Sequence, residues 1–304
     1  MQRPTSTPES APQTPERTVA DTLVVRSYGL SDRGRVRAQN EDQFLIAELA
    51  KAMQIVGSSI PQPRTAFSHA RAHLFAVADG MGGHRAGAQA SAIAVVTIES
   101  FVLETLQWFS DLRAGDQAML NDFQAALVAA DAKLFAVTEE RPELSGMGTT
   151  LTVAWCQDSE LCVLHVGDSR CYLARNGGLH QLTEDHTLVG ELMRKGIINA
   201  EQASDHSMRH VITNAVGGPA PGVRVEIRRA HIEPGDVLLL CSDGLTEMVS
   251  DASINAVIST ERDPKAACER LVAAALEAGG RDNVTVVVAR FDGATATPTP
   301  TTLH

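Results

Sequence analysis

The stretch Leu151–Arg175, which reads LTVAWCQDSELCVLHVGDSRCYLAR, decides the fold. It contains three apolar runs, Leu151 to Cys156, Leu161 to Val166 and Cys171 to Arg175, and short polar turns separate them. Turns this short join antiparallel neighbours. We therefore predict three successive antiparallel strands in this part of the chain.

Helices and further strands are predicted on both sides of this stretch. Apolar residues recur at helical spacing from about His84 to Trp108 and from Asp116 to Thr138, and two more helices are predicted between Asp251 and Ala278. The other predicted strands are Leu23 to Tyr28, Phe44 to Leu49, Leu74 to Ala78, Val223 to Ile232, Val237 to Cys241 and Val284 to Phe291. Strand clusters that alternate with helix pairs indicate an α+β fold, in which helices pack on antiparallel sheets.

One folded domain is predicted over residues 22–292. Residues 1–21 and 293–304 are rich in Pro, Thr and Ser and poor in apolar residues, which predicts two disordered flanks. Residues 183–217 show no clear strand and contain short polar helices, such as Leu188 to Lys195, which Gly196 ends. We interpret residues 183–217 as an excursion from the core.

The composition disfavours several classes of partner and location. The chain has 26 Lys and Arg against 37 Asp and Glu, a net charge of −11, which disfavours nucleic acid and anionic membranes as partners. The five cysteines are odd in number and form no C-x-x-C pair, so we expect reduced thiols. No apolar signal-like segment and no uncharged apolar stretch of membrane-spanning length is present. The expected location is cytoplasmic.

Acidic residues recur where the predicted strands begin or end. Three of them follow strands, namely Asp79, Asp168 and Asp243, and three precede strands, namely Glu41, Asp42 and Asp282. In an antiparallel sheet, the exit of one strand and the entry of its neighbour lie on the same edge. We therefore expect these carboxylates to converge on one rim of the sheets.

Carboxylates that converge in this way need protons or cations. Two of them about 4 Å apart repel by about 4 kcal/mol at an effective dielectric of ~20. Oxygen ligands select hard ions, and no His or Cys stands at zinc spacing, so we predict Mg²⁺ or Mn²⁺. Gly80 suits such a site because the lack of a Cβ lets its carbonyl turn toward a metal. Calcium storage is disfavoured, since the EF-hand loop pattern is absent.

Such a site is suited to phosphate ester hydrolysis. A pair of these ions can activate a water for attack at phosphorus and neutralise charge on the phosphate. The sequence has no G-x-S-x-G elbow and no C-x5-R loop, so a covalent route lacks an obvious nucleophile. Arg37, four residues before Glu41, is placed to hold phosphate in a bidentate manner. On the residues alone, a solvated arginine is the alternative interpretation of Arg37.

Six motifs occur in a recognisable order. They are R-x-x-N-E-D (Arg37 to Asp42), D-G-M-G-G-H (Asp79 to His84), G-T-T (Gly148 to Thr150), V-G-D-S-R (Val166 to Arg170), S-D-G-L (Ser242 to Leu245) and G-x-D-N-V-T (Gly280 to Thr285). On these motifs the chain, over about residues 23–292, closely resembles bacterial members of the metal-dependent protein phosphatase family, the protein phosphatase 2C type. The resemblance implies a four-layer αββα sandwich, with two antiparallel sheets flanked by helix pairs. We interpret G-T-T as packing residues without chemistry.

The resemblance also implies the metal ligands. Two tightly bound ions are implied, with Asp79 as their bridge, the Gly80 carbonyl on the second, and Asp243 with Asp282 completing the first. Asp168, together with Asp243, matches the position of a third and weaker ion. Glu41 and Asp42 are implied to hold metal-bound waters.

The implied substrate contacts begin with Arg37, which matches the family's phosphate-binding arginine. We expect Arg37 and Asp79 to take part directly in catalysis. Animal members carry a histidine after the Asp-Gly pair as a proposed general acid, but this chain has Met81, so the leaving-group proton needs another source. His84 is the candidate for contact with substrate, with an ordinary loop residue as its alternative.

The excursion at residues 183–217 matches the flap beside the family's active site, including Thr183-x-Asp185-His186. The family flap is thought to influence substrate choice. Position 214 is Asn here, where many bacterial relatives have arginine, so flap-based specificity does not carry over.

Three functions stay open from the sequence. The first is hydrolysis of phosphoserine and phosphothreonine in proteins by a metal-activated water, without a covalent intermediate, by a monomer that opposes a bacterial Ser/Thr kinase. The second is hydrolysis of small phosphate esters, and the third is an inactive module that binds phosphoproteins. We favour the first, because an inactive module is expected to have lost a metal aspartate and all five are present.

Overall fold

The structure is a computed structural model that describes residues 23–57, 59, 65–82, 85–104 and 117–293. The strands are Leu23–Asp32 (β1), Gln43–Gln54 (β2), Thr65–Ala78 (β3), Gly80–Met81 (β4), Gly148–Thr149 (β5), Leu151–Gln157 (β6), Glu160–Val166 (β7), Arg170–Arg175 (β8), Gly178–Gln181 (β9), Val216–Gly217 (β10), Glu226–His231 (β11), Val237–Cys241 (β12) and Val284–Gly293 (β13). The helices are Arg85–Glu104 (α1), Gln117–Glu140 (α2), Leu188–Arg194 (α3), Ala200–Ser204 (α4), Asp243–Thr246 (α5), Asp251–Thr260 (α6) and Pro264–Glu277 (α7). The predicted flanks at 1–21 and 293–304 lie outside the described residues, except for Gly293, which is the last residue of β13.

The long strands form two five-stranded antiparallel sheets. One has the order β1-β13-β12-β8-β9 and the other the order β11-β7-β6-β3-β2. Three two-residue strands, in the order β10-β5-β4, form a small sheet of their own. Every long predicted strand is therefore present and antiparallel to its neighbours.

One predicted pairing is wrong. Strand β6 pairs with β7 as expected, but β8 lies in the other sheet, where it pairs with β12 and β9. The short turn after Val166 therefore carries the chain from one sheet to the other. Both sides of β7 and β8 face apolar neighbours, so the same run of buried residues fits a hairpin or a crossing.

The alternation of side chains along β3 separates two apolar cores. Leu74 and Ala76 face a core beneath α1 and α2, whereas Phe75 and Val77 pack between the two sheets. Because successive side chains of a strand point to opposite faces, one apolar run supplies both cores.

The second sheet divides its residues in the same way. Leu238 and Leu240 of β12 pack between the sheets, whereas Leu239 faces a third core formed with α6 and α7. The layers are therefore helix pair, sheet, sheet and helix pair. This confirms the predicted four-layer αββα sandwich.

The excursion at residues 183–217 contains α3, α4 and β10. Thr187 caps α3 by accepting a hydrogen bond from the Gly190 amide, and Gly196 follows the helix with a φ of +66°, as its predicted role as a stop requires. The expectation of no strand is wrong at the end of this segment, where Val216–Gly217 pairs with β5.

Two expectations from composition have a structural outcome. All five cysteines are buried and free, as predicted for reduced core thiols. Helix α1, over Ala86–Glu104, is long and apolar enough to span a membrane by length and composition. Its buried residues, such as Ala90, Ala94 and Ile98, belong to the core beneath the helices, as is typical of an apolar helix in a protein core.

Candidate metal centre

Strand register brings Asp79 next to Asp42. Ala78, the last residue of β3, pairs with Gln43, the first residue of β2. Asp79 leaves one strand at the edge where Asp42 enters the other, as the sequence predicts for neighbouring antiparallel strands.

The second sheet contributes its aspartates to the same rim. Cys241 at the end of β12 pairs with Val286 near the start of β13 and with Arg170 at the start of β8. Asp243, two residues after Cys241, therefore lies near Asp282, and Asp168 is next to the start of β8. The charges of Asp42, Asp168, Asp243 and Asp282 all act on Asp79, so the five aspartates of the two sheets converge.

The carboxyl groups at the rim raise one another's pKa. Burial, followed by the charges of Asp42, Asp243 and Asp168, raises the pKa of Asp79 well above its ordinary value. Burial and the neighbouring charge of Asp168 raise the pKa of Asp243 in the same way. Burial is also the main cause that raises the pKa of Asp42 to about 6 and that of Asp168 to about 7. Without protons or a compensating cation, the rim concentrates more negative charge than it can hold.

Two buried carboxylate oxygens at the rim indicate that the residues fit a metal. Asp42 Oδ1 and Asp243 Oδ1 are buried and have no hydrogen-bond partner among the residues that the structure describes. The other oxygen of Asp42 accepts a hydrogen bond of 2.7 Å from the Ser242 hydroxyl. A buried acceptor left unpaired costs about 1–3 kcal/mol. Hard divalent cations prefer such oxygens, so the donor set fits Mg²⁺ or Mn²⁺.

Close packing requires a glycine at position 80. A Cβ on Gly80 would lie 2.2 Å from the carbonyl oxygen of Gly87 and 2.7 Å from that of Glu41. A Cβ on Gly87 would lie 2.1 Å from Glu41 Oε2. The two glycines therefore let β4, the first turn of α1 and the Glu41 carboxylate meet beside the rim.

Arg37 lies at the rim, where its Nη2 donates to Asp282 Oδ2 at 2.5 Å. This hydrogen bond is the main cause that raises the pKa of Arg37. Its side chain is 55% exposed, so most of its donors face solvent beside the carboxylates. His84, the other predicted substrate contact, lies outside the described residues.

The G-T-T motif has a role that the packing interpretation missed. The Asp79 amide donates to Thr150 Oγ1 at 2.9 Å, and the Asp79 carbonyl accepts from the Thr149 hydroxyl at 2.9 Å. Thr150 Oγ1 is also 2.7 Å from Ser169 Oγ, next to Asp168. Buried hydroxyls thus fix the backbone of one rim aspartate and link it to the loop that bears another.

Asn283 fixes the loop that presents Arg37 and Glu41. Its Nδ2 donates to the carbonyls of Arg33 and Gln39, each at 2.9 Å, and its Oδ1 accepts from the Glu41 amide at 2.8 Å. The sequence indicated only its neighbour Asp282, because an amide that bonds distant backbone leaves no signal in spacing.

Replacing Asn283 with Ala is expected to destabilise the protein by about 3 kcal/mol and to lower turnover by about 10- to 100-fold, because three backbone groups lose their partner. Urea unfolding and the rate of hydrolysis of p-nitrophenyl phosphate measure the two effects. The matched control is Asn255→Ala, since the Asn255 amide donates a single bond to Gly177 O at 2.8 Å. Equal effects of the two substitutions would contradict the anchoring role of Asn283.

The flap is attached to the core at its base. Arg170 binds both oxygens of Asp185, with Nε at 2.9 Å and Nη2 at 2.7 Å. Asn214 donates to His186 Nδ1 at 2.9 Å and to the Arg224 carbonyl at 2.7 Å. Asn214 therefore serves as a structural tether within the base of the flap.

A histidine cluster lies beneath the flap and was not predicted. Ligand atoms of His165, His186 and Glu226 lie within 4.8 Å of one another. His165 Nε2 is 3.0 Å from Gly167 O, and His186 Nδ1 accepts from the Gly167 amide at 3.1 Å. Burial lowers the pKa of His165 to about 4, so this ring is neutral and hydrogen-bonded. These hydrogen bonds explain the cluster as a structural link between the flap and the core.

The comparison with known families decides the family. Residues 62–291, more than half of the chain, match the sequence model of the family described as Protein phosphatase 2C. This chain belongs to the protein phosphatase 2C family.

The curated relatives of this protein phosphatase 2C family member include bacterial enzymes. The serine/threonine protein phosphatase PstP of Mycobacterium tuberculosis is 39% identical over 268 residues, which are 88% of this chain and 45% of that protein. The serine/threonine phosphatase stp of Listeria monocytogenes is 34% identical over 262 residues, which are 86% of this chain and 94% of that protein. The chain thus spans less than half the length of the mycobacterial relative.

Solved structures of the protein phosphatase 2C family superimpose on this chain. The crystal structure of the Mycobacterium tuberculosis phosphatase PstP/Ppp has a TM-score of 0.72 and 36% identity, and covers 89% of this chain and 100% of that chain. The catalytic domain of PstP in complex with two manganese ions has a TM-score of 0.70 and 35% identity, with the same coverage.

Proposed function

We propose that this protein phosphatase 2C family member hydrolyses phosphoserine and phosphothreonine in proteins, with residues 22–292 as its catalytic domain. The observation that carries the proposal is the rim, where Asp79 lies among four other aspartates and two buried oxygens lack a partner among the described residues. The relatives from Mycobacterium and Listeria are serine/threonine phosphatases. Their similarity supports the same substrate class here.

The proposed cofactors are two tightly bound Mn²⁺ or Mg²⁺ ions and a third, weaker one. When bound, a pair of divalent cations activates a water for attack at phosphorus and neutralises charge on the phosphate oxygens. The proposed ligands are Asp79 as bridge, Gly80 O on one side, Asp243 and Asp282 on the other, Asp168 at the third position, and Glu41 and Asp42 through water. The two manganese ions in the crystal structure of the PstP catalytic domain support the proposed pair of ions.

Arg37 is the proposed phosphate-binding residue. A guanidinium carries five N–H donors in a rigid plane, and the bond to Asp282 uses one edge of it. Asp282 therefore orients Arg37 while its remaining donors stay available to a phosphate in bidentate fashion. The thioether of Met81 has no acidic proton, so this position does not supply the leaving-group proton in this chain. His84 stays a sequence prediction for substrate contact.

The proposed partners are phosphorylated proteins and a bacterial Ser/Thr kinase whose products the enzyme reverses. We place the protein in the cytoplasm as a monomer. Its net charge of −11 supports partners other than nucleic acid or an anionic membrane.

The proposed function is tested by release of p-nitrophenol from its phosphate. We expect activity with Mn²⁺, a loss of at least about 100-fold in EDTA, and recovery when Mn²⁺ is restored. Activity that ignores EDTA would rule out the metal mechanism. Absence of activity with any metal would favour a phosphoprotein-binding module.

The class of substrate is tested by comparing kcat/KM for phosphothreonine peptides and sugar phosphates. We expect the peptides to be preferred by at least about tenfold, because they also contact the protein beside the rim. A preference for sugar phosphates would instead support hydrolysis of small esters.

A further inference from the structure

A groove of about 700 Å³ lies between the flap and the rim. Asp168 and Asp243 of the rim line it, together with Val189, Met193 and Arg209 of the flap. A phosphorylated side chain at the rim would therefore have part of its own polypeptide inside this groove. The sequence indicated the flap beside the rim, including Thr183 and Asp185, but it did not indicate Arg209 or Arg281 as residues of one groove.

The acidic side chains that line the groove are already compensated. Asp185 accepts two hydrogen bonds from Arg170, and Glu184 pairs with Arg228. Glu247 contacts His210 Nδ1, which compensates its charge when His210 is protonated. Asp168 and Asp243 face cations under the proposed function, on which this reasoning rests. The acids of the groove therefore do not repel an acidic ligand as their number suggests.

Two basic side chains of the groove have no compensating partner among the described residues. Arg209 on the flap and Arg281, next to Asp282, line the groove and are exposed. Neither guanidinium has a hydrogen-bond or ion-pair partner among the residues that the structure describes. The uncompensated charge of the groove is therefore positive, although the chain as a whole has a net charge of −11.

The groove also has an apolar wall. Met193 of α3 is 41% exposed there, next to Val189, and Met248 faces it from the end of α5. Unbranched methionine side chains adapt to ligands of different shape. The wall suits a peptide side chain of medium size without selecting a single one.

The geometry points to a substrate-selecting role for this groove: Arg209 and Arg281 bind an acidic residue that flanks the phosphorylated serine or threonine, while Met193 and Met248 contact its apolar neighbour. The occupant is the substrate's own chain, because the groove is continuous with the rim. The two arginines are specificity residues, and the chemistry takes place at the rim.

The test uses a series of phosphothreonine peptides. Each carries one Asp, at one of the positions from three residues before to three residues after the phosphothreonine, and each has a counterpart with Asn at the same position. We expect kcat/KM to favour Asp over Asn by about fivefold or more at one position at least, as a partly exposed ion pair allows. This preference should shrink at high salt, because exposed charges are screened. No preference at any position would overturn the proposal.

Variants assign the preference to the groove. In the double variant Arg209→Gln, Arg281→Gln, we expect Asp and Asn peptides to react within about twofold of each other, and in Arg209→Glu we expect a preference for Lys. The matched control is Arg224→Gln, since Arg224 follows the flap in sequence, is 69% exposed and does not line the groove. A preference that survives in the double variant would overturn the proposal.

Hydrolysis of p-nitrophenyl phosphate in Mn²⁺ distinguishes a failure of the proposed function from a failure of the proposed role of the groove. This substrate has no flanking residues, so it reports on the rim alone. Absence of this activity in the wild-type protein would refute the proposed function itself. Retained activity together with absent acidic selection would refute only the role of the groove.

Discussion

Replacing Asp79 with Asn is expected to lower kcat for p-nitrophenyl phosphate by about three orders of magnitude, or about 4 kcal/mol in activation free energy. Asp79 lies among the other rim aspartates and is the proposed bridge between two cations. The amide keeps the shape of the side chain and removes the charge that binds them. The backbone bonds of Asp79 to Thr149 and Thr150 do not depend on its carboxylate, so the fold is expected to stay intact.

The same substitution is expected to stabilise the metal-free protein. Because burial and neighbouring carboxylates raise the pKa of Asp79, its ionised form is unfavourable in the folded chain without a cation. A neutral amide removes this repulsion, so Tm in EDTA should rise by several degrees. The control is Asp292→Asn, an exposed partner of Arg26, which should change activity and Tm little. Turnover of the Asp79 variant within tenfold of wild type would contradict the proposed role.

The stability of the metal-free protein is expected to fall as pH rises from about 4 to above 7. The folded-state pKa of Asp42 is about 6 and that of Asp168 about 7, whereas an aspartate in the unfolded chain titrates near 4. Over this interval the unfolded chain releases protons that the folded chain retains. Since stability rises with pH only where the unfolded chain binds more protons, the sign here is negative.

Thermal unfolding in EDTA and in Mn²⁺, from pH 5 to pH 8, measures this effect. We expect Tm in EDTA to fall by roughly 5 to 10 °C over the range and the gain from Mn²⁺ to grow with pH, because cations replace the lost protons. Asp79→Asn should flatten the dependence in EDTA, since it removes one member of the cluster. A metal-free Tm that rises with pH would contradict the carboxylate repulsion at the rim.

The rim was predictable from the sequence because its chemistry is tied to strand ends. Asp79 and Asp243 follow apolar runs whose length and type identify them as strands, and antiparallel neighbours share an edge. Strand clusters that alternate with helix pairs predicted helices packed on antiparallel sheets, and the family resemblance implied the four-layer order. The sequence did not predict which sheet β8 joins, because a strand that is buried on both faces has no sequence pattern that identifies its neighbouring strand.

The supports of the rim were not predictable, because they depend on contacts between distant segments. Ser242 donates to Asp42, 200 residues away in sequence, and Asn283 binds backbone near Arg37. A serine or an asparagine beside a metal aspartate has no spacing that distinguishes it from a solvated neighbour. The unpaired arginines of the groove were hidden for the same reason.

The most direct measurement is anomalous scattering from a crystal of this protein grown with Mn²⁺. We expect manganese at the rim, within ligand distance of Asp79, Asp243 and Asp282, with the Gly80 carbonyl directed at one ion. Manganese absent from the rim, or bound only at His165, His186 and Glu226 beneath the flap, would contradict the central claim that carboxylates at the strand ends hold the catalytic cations.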